Sequence, residues 1–142
     1  MNKEKLLFLD FDGVLHPTHF AGEAHFSKAH LLEETLAQFA PKIVVSSSWR
    51  FTHSLEKLQK TLPSAIGQLI IGATSSAIIG KHPRFQEILN YLGGYGPVDW
   101  RALDDSYWEF PSPCPKLIRC NPNTGIMDKQ ILELQQWLSK PK

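Results

Sequence analysis

The chain has 142 residues, 42% of them hydrophobic and 20% charged, which is enough for one domain with a hydrophobic core. A formal net charge of +1 provides no overall attraction to nucleic acid or to an anionic membrane. Two cysteines are too few for a disulfide framework or a zinc site, and no apolar stretch approaches membrane-spanning length. We therefore expect a reduced, cytoplasmic, soluble protein without a membrane partner, built as a single domain over residues 1–142.

Strand-like and helix-like segments alternate from the start of the chain. The near-continuous apolar run "KLLFL" predicts a first strand that is covered on both faces. Apolar residues then recur at helical spacing over residues 31–39, with Ser27 as the expected cap and Pro41 as the stop. The short β-branched run "KIVVSSS" predicts a second strand.

The alternation continues to the end of the chain. A helix is predicted over residues 55–62, followed by a third strand at "QLIIGAT" and a helix over residues 85–92 that Gly93 and Gly94 terminate. Two more strands are predicted at "VDWRALDDS" and "KLIRC", and a last helix over residues 131–138. The pattern predicts an α/β fold with a doubly wound parallel sheet, in which chemistry lies at the carboxyl ends of the strands.

Acidic residues follow two of the predicted strands. The first strand leads to Asp10 and Asp12, and the fourth leads to Asp104 and Asp105. Four converging carboxylates would repel one another, so a hard divalent cation is expected among them, and Mg²⁺ suits carboxylates that leave room for water and phosphate oxygens. A carboxylate such as Asp10 is also able to attack phosphorus and form an aspartyl-phosphate.

Hydroxyl and basic residues complete this predicted site. The second strand leads to Ser46, Ser47 and Ser48, and the segment "GKHPRF" supplies Lys81 and Arg84 beside the start of a helix. A hydroxyl and a cation across the mouth of an acidic cluster would form a cradle for a phosphoryl group. The residues alone leave open which of the two cations takes that part.

Several motifs together resemble a known enzyme superfamily. The segment "FLDFDGVL" is similar to the first motif of the haloacid dehalogenase-like (HAD) superfamily, "IVVSS" to its second and "ALDDS" to its fourth. The segments "LDFDGVLHP", "VVSSSWR", "GAT", "PRFQEI", "LDDS" and "CNPNTGI" more narrowly resemble the small HAD domains of bacterial RNA-repair proteins. The resemblance implies a Rossmann-like core and a Mg²⁺-dependent phosphatase, a phosphoric monoester hydrolase.

The resemblance also implies a role for each motif residue. Asp10 would be the nucleophile and a metal ligand. Asp12 would be the general acid and then the base that activates water, while its backbone carbonyl binds the metal. Ser46 would hydrogen-bond the phosphoryl group, and Asp105, with Asp104 beside it, would hold Mg²⁺.

Two assignments rest on weaker signals. Arg84 is favoured over Lys81 as the cation that neutralises the phosphoryl group, because "PRFQEI" matches the narrower family pattern, whereas His82 breaks the common Lys-Pro pattern. The histidine pair in "HPTH", which is His16 and His19, is interpreted as loop residues that line the cleft and not as metal ligands.

Four further residues are expected beside the substrate. Gly13 and Ser47 belong to the first two motifs, and Trp49 with Arg50 follows the second motif directly. Arg50 is expected near the rim, where it would contact a second phosphate. Trp49 would either stack on a base or pack against the following helix.

The gaps between the motifs bear on the substrate. They have room for a flap but for no separate cap domain, and an open cleft excludes water poorly unless a large substrate covers it. A large substrate, the phosphorylated end of a polynucleotide or a phosphorylated protein, is therefore expected, and the resemblance to the domains of RNA-repair proteins implies RNA or DNA ends. A small-molecule phosphatase such as a nucleotidase is the alternative, and a receiver-type or phosphate-binding module without hydrolytic activity is a more distant one.

Overall fold

The computed structural model describes residues 4–18 and 25–141. The described residues form five strands, which are β1 (Glu4–Leu9), β2 (Lys42–Val45), β3 (Ile70–Ala73), β4 (Val98–Asp104) and β5 (Leu117–Arg119). All pairings between them are parallel, and the order across the sheet is β3-β2-β1-β4-β5. The predicted doubly wound parallel sheet is confirmed.

Helices cover both faces of this sheet. They are α1 (His30–Phe39), α2 (Leu55–Thr61), α3 (Ser64–Gly67), α4 (Pro83–Leu92) and α5 (Asp128–Ser139). Helices α1, α2, α3 and α5 pack on the face that carries Leu7, Leu9 and Val45. Helix α4 packs on the other face, against Phe8 and Val44. The core strand β1 is buried on both sides, as its continuous apolar run predicts.

One predicted cap is wrong, and two short elements were not predicted. Helix α1 begins at His30, and its N-cap residue is Ala29 and not Ser27. A turn over residues 26–29 supplies the reason, since its backbone carbonyls already accept from Ala29 and Leu31. The four-residue helix α3 and a 3₁₀ helix at Ser48–Phe51 are too short to leave a periodic signal.

No helix in the described part of the chain combines the length and the apolar character that crossing a membrane requires. Two connections bear on the site, one of nine residues and one of twenty. Residues 74–82 join β3 to α4, and residues 10–29 join β1 to α1, with positions 19–24 of the latter outside the described residues.

Candidate active site

The carboxyl edge of the sheet collects the polar residues that the motifs predict. Asp10 directly follows β1, Ser46 follows β2, and Asp104 is the last residue of β4. The N–H of Ser46 donates to the Leu9 carbonyl at 3.0 Å, and the N–H of Asp10 donates to the Leu103 carbonyl at 3.0 Å. These bonds continue the parallel ladders by one residue, so three neighbouring strands present a polar side chain side by side at their carboxyl ends.

Three of the predicted acids form a compact group. Asp10, Asp104 and Asp105, hereafter the acid cluster, each offer one oxygen within 4.8 Å of the others. Asp10 is 5% exposed and Asp104 is 1% exposed, while Asp105 is half-buried. Adjacent oxygens around an octahedral Mg²⁺ lie about 3 Å apart and opposite ones about 4.2 Å, so these side chains would have to move closer together to bind the ion.

The ionised form of the acid cluster is unfavourable unless a cation lies nearby. Burial, and next the neighbouring Asp104, raise the pKa of Asp10 well above its ordinary value, although Arg84 acts in the opposite direction. Burial raises the pKa of Asp104 to about 7, against the lowering effects of Arg84 and of the Ser106 N–H. Carboxyl groups that resist ionisation in this way become favourable ligands once a divalent ion compensates their charge.

Arg84 is the cation that lies among these acids. Its Nη1 lies 2.5 Å from Asp104 Oδ2 and 3.5 Å from Asp10 Oδ1, and its Nη2 lies 3.6 Å from Glu109 Oε2. Burial acts to lower the pKa of Arg84, but Asp104 and Asp10 outweigh it, so the pKa lies above its ordinary value. The guanidinium is therefore a permanent positive charge beside Asp10, whereas Lys81 is exposed.

Gly13 makes the approach of Asp105 possible. Its backbone adopts φ +77°, and a Cβ atom at this position would lie 2.3 Å from Asp105 Oδ2. Its N–H donates to the His16 carbonyl at 2.9 Å, so the tight turn after β1 is closed internally. Gly13 therefore helps to shape the acid cluster. Contact between Gly13 and the substrate stays a prediction.

Asp12 occupies a different environment from Asp10. Its side chain is 46% exposed, and its Oδ1 accepts from His16 Nε2 at 2.7 Å and from Trp49 Nε1 at 3.3 Å. We call His16 and Trp49 the Asp12 donor pair. Two donors on one oxygen fix the orientation of the carboxylate and leave Oδ2 as the other protonation site.

The buried side chain of His16 has a defined tautomer. Its Nδ1 accepts the backbone N–H of Phe26 at 3.0 Å, so the ring proton of the neutral imidazole lies on Nε2, which faces Asp12. Sequence reasoning placed His16 in the cleft wall and missed this contact with Asp12. The one available signal was the four-residue spacing from Asp12 in "DGVLH". His19 lies outside the described residues.

Two hydroxyl groups at neighbouring strand ends are buried and unsatisfied. Ser46 Oγ and Thr74 Oγ1 have no hydrogen-bond partner among the described residues, and the two residues are 1% and 4% exposed. Buried hydroxyls without protein partners are uncommon, and they are usually satisfied by water, an ion or a bound group. Thr74 follows β3 in "GAT" and was not among the predicted site residues.

Arg50 does not lie free at the rim as predicted. Its side chain is 5% exposed, pairs with Glu87 at 2.8 Å and donates to the carbonyls of Ser46 and Ser47. The physical reason is that Glu87 of α4 is itself buried and needs a cation. The hydrogen bonds from Arg50 therefore stabilise the loop that carries Ser46.

The neighbours of Arg50 also have internal contacts. Ser47 caps the 3₁₀ helix by accepting the Trp49 N–H at 3.2 Å. The Trp49 ring packs among Phe11, Phe26 and His53, with ring centroids 5.0–5.8 Å away. Of the two environments predicted for Trp49, the structure shows the packed one. The ring packs within an aromatic group and not simply against a helix. Contact of Ser47 with substrate stays a prediction.

A buried acid cluster with a neutralising arginine, at the carboxyl edge of a doubly wound parallel sheet, is the arrangement of a HAD-type hydrolase. Comparison with protein families agrees, since residues 6–131 match the model described as the HAD domain in Swiss Army Knife RNA repair proteins. The chain belongs to this family, and the membership indicates a phosphatase-type hydrolase. Neither curated proteins nor solved structures contain a significant match to the chain.

Proposed function

We propose that this protein is a Mg²⁺-dependent phosphatase that removes phosphate from nucleic-acid ends through an aspartyl-phosphate on Asp10. The observation that carries the proposal is the contrast at the end of β1. Asp10 is buried in the acid cluster beside Arg84, whereas Asp12 is half-exposed and held by two donors. A nucleophile and a separate proton carrier are what a two-step phosphoryl transfer requires.

The first chemical step uses both carboxylates. An Asp10 oxygen forms a bond to phosphorus while the bond from phosphorus to the leaving oxygen breaks. Asp12 gives its proton to that oxygen, so the alcohol end of the substrate departs neutral. Arg84 compensates the negative charge on the transferring phosphoryl group, and the unsatisfied hydroxyl of Ser46 supports its donation to a phosphoryl oxygen.

The second step returns the protein to its starting state. Ionised Asp12 takes a proton from water, the water oxygen bonds to phosphorus, and the bond to Asp10 breaks to release inorganic phosphate. The Asp12 donor pair supports both steps, because it holds the same carboxylate oriented in its charged and neutral forms.

Mg²⁺ would be held by Asp10 and Asp105, and by the backbone carbonyl of Asp12, as the family resemblance implies. When bound, the ion supplies positive charge that lowers the repulsion between the substrate phosphate and the carboxylates. Asp105 is the better direct ligand of the two acids after β4, because both oxygens of Asp104 already accept hydrogen bonds, from Ser106 and Arg84. HAD proteins generally use this ion.

The substrate class rests on the family description and on the open cleft. The family is named for RNA-repair proteins. The nine residues 74–82 between β3 and α4 are too few for a cap domain. A polynucleotide end is large enough to help cover the site, which favours it over a free mononucleotide.

The test compares turnover of four substrates by the purified protein: a 5′-phosphorylated oligonucleotide, a 3′-phosphorylated oligonucleotide, mononucleotides and an aryl phosphate. We expect Mg²⁺-dependent release of phosphate that EDTA abolishes, with kcat/KM at least about tenfold higher for one oligonucleotide end than for mononucleotides. Asp10→Asn serves as the control for contaminating phosphatases. Faster turnover of mononucleotides would establish the nucleotidase alternative, and no Mg²⁺-dependent release would refute the proposal.

A further inference from the structure

A groove opens directly beside the acid cluster, on the side of β5. Its volume is about 290 Å³, and its lining includes Asp105, Tyr107, Trp108 and Arg119. Tyr107 is 66% exposed and Trp108 is 62% exposed, so two large aromatic rings lie in contact with solvent next to Asp105 of the acid cluster. Exposure of adjacent aromatic rings at such a position is typical of a binding surface.

A second depression continues from the first. It has a volume of about 490 Å³ and shares Arg119 and Pro122 with the first one. Its other lining residues include Asn121, Asn123 and Lys129, and no carboxylate is among the described residues that line it. We refer to the two depressions together as the β5 groove, because Arg119, the last residue of β5, lies at their junction.

The two depressions of the β5 groove differ in chemistry. The first holds the two exposed rings together with Asp105 of the acid cluster and Glu109, whose carboxylate is paired with Arg84 at 3.6 Å. The Arg119 guanidinium lies 4.8 Å from the centre of the Tyr107 ring. Arg119 at the junction and Lys129 give the second depression a positive character.

We infer that the β5 groove binds the single-stranded nucleic acid that leads to the phosphorylated end. With the terminal phosphate at Asp10, the first base would stack on Tyr107 or Trp108, and the following phosphates would contact Arg119 and Lys129. A strand end presents these groups in the same order, phosphate, base and then further phosphates. The inference rests on the proposed function and replaces Trp49 and Arg50, which have internal partners, as the expected substrate contacts.

An acidic peptide is a weaker match for the same surface. Its carboxylates would use the two cations, but it has no flat ring for Tyr107 and Trp108. Aromatic stacking combined with backbone cations is the usual way in which proteins hold a single strand without reading its sequence.

The test measures binding on an Asp10→Asn background, so that the substrate is not consumed. The probe is a single-stranded oligonucleotide of about six nucleotides, with a terminal phosphate at one end and a fluorophore at the other, followed by fluorescence anisotropy. RNA and DNA versions, each with a 5′ or a 3′ phosphate, form separate arms. An acidic peptide of similar length is the competing ligand.

We expect Tyr107→Ala or Trp108→Ala to raise the Kd roughly 5- to 100-fold, while Trp108→Phe, which keeps a ring, restores most of the affinity. Arg119→Ala should weaken binding and reduce the slope of log K against log salt by about 0.7, the value for one lost phosphate contact on a single strand. Lys60→Ala, which removes an exposed lysine on α2 outside the groove, should change neither quantity.

The outcomes separate this inference from the proposed function. If the wild-type protein hydrolyses oligonucleotide ends but the Tyr107, Trp108 and Arg119 variants bind and turn over as it does, the inference is wrong and the proposed function stands. If the protein binds the strands through the groove but releases no phosphate from them, the proposed function is wrong and the inference stands. Absence of strand binding, or tighter binding of the acidic peptide through the same residues, also overturns the inference.

Discussion

Two carboxylates two residues apart, Asp10 and Asp12, have opposite environments. Asp10 is 5% exposed and lies between two other acids and Arg84, so burial raises its pKa. Asp12 has a half-exposed side chain and two neutral donors on one of its oxygens. The difference teaches that one short turn after a strand is enough to separate a buried, charge-compensated carboxylate from an accessible one, which suits the roles of nucleophile and proton carrier that we propose for them.

Asp10→Asn removes the proposed nucleophile and should have the largest effect on turnover. We expect kcat to fall roughly 10⁴-fold or more, because a reacting group is lost. The melting temperature without metal should not fall, since a carboxyl group that is repelled by its neighbours is removed. The measurements are steady-state turnover of an aryl phosphate and thermal unfolding.

The matched control for this variant is Asp99→Asn. Asp99 lies in β4 but pairs with Arg101 and Lys116, away from the acid cluster. Its substitution should leave kcat within about twofold while it costs some stability. An Asp10→Asn protein that kept a tenth of the wild-type kcat would show that Asp10 is not the attacking group.

Arg84→Ala should have the next largest effect, because it removes the positive charge that compensates Asp10. We expect kcat/KM to fall roughly 10²- to 10³-fold, comparable with the loss of one charge-stabilising donor. Removing one partner of a buried charge group should also lower the unfolding free energy by about 3–5 kcal/mol without metal. Lys81→Ala is the matched control, and a greater loss of activity for it than for Arg84→Ala would reverse the assignment of the cation.

His16→Ala tests the Asp12 side of the comparison. Loss of the 2.7 Å hydrogen bond to Asp12 should lower kcat roughly 10-fold, with little change in KM, because the carboxylate loses its orientation. His16→Gln provides a donor of similar reach and should recover part of the loss. The loss should be greater for alkyl than for aryl phosphates, which need less help from an acid. Equal losses on both substrates, without recovery in His16→Gln, would mean that His16 only supports the fold.

The surroundings of Asp10 could be predicted from the sequence to a greater extent than those of Asp12. Asp10, Ser46 and Asp104 could be placed together from sequence, since parallel strands that carry polar residues at their ends bring them to one edge. The partner of Asp12 could not, because the position of His16 depends on the path of the loop through residues 10–29. Periodic patterns carry no information about such a path.

The positions of the basic residues show the same limit. The family pattern favoured Arg84 over Lys81, but their positions depend on where α4 begins, and His82 takes a left-handed conformation that starts the helix at Pro83. Arg50 pairs with Glu87, which is 37 residues away on α4. A long-range contact of this kind leaves no local pattern, so Arg50 was expected at the rim.

The pH dependence of stability gives the smallest predicted effect. Without metal, the Asp104 carboxyl has a pKa of about 7 in the folded protein and about 3.8 when unfolded. Between these values the folded state holds a proton that the unfolded chain has released. The unfolding free energy should therefore fall as the pH rises from about 4 to 7, by roughly 1–4 kcal/mol.

Denaturant unfolding with a chelator present at each pH measures this slope. Asp104→Asn should reduce the slope, and the part that stays is expected from Asp10, whose pKa is also raised by burial. Asp99→Asn should not reduce it, because the pKa of Asp99 is lowered in the folded protein despite burial, mainly by the Trp137 N–H and then by Arg101. Added Mg²⁺ should stabilise the protein more at pH 7 than at pH 5. A slope that Asp104→Asn left unchanged would have its origin in other groups.

The most direct test of the separate roles proposed for Asp10 and Asp12 is rapid quenching of an Asp12→Asn variant after mixing with an aryl phosphate and Mg²⁺. A good leaving group needs little help from an acid, whereas release of phosphate from Asp10 still needs a base, and the latter step should slow roughly 10²- to 10⁴-fold. We predict that the mass of one phosphoryl group accumulates on the peptide that contains Asp10 and is absent in Asp10→Asn. Phosphate release by Asp12→Asn at the wild-type rate, or turnover without a phosphorylated peptide at any quench time, would contradict the account.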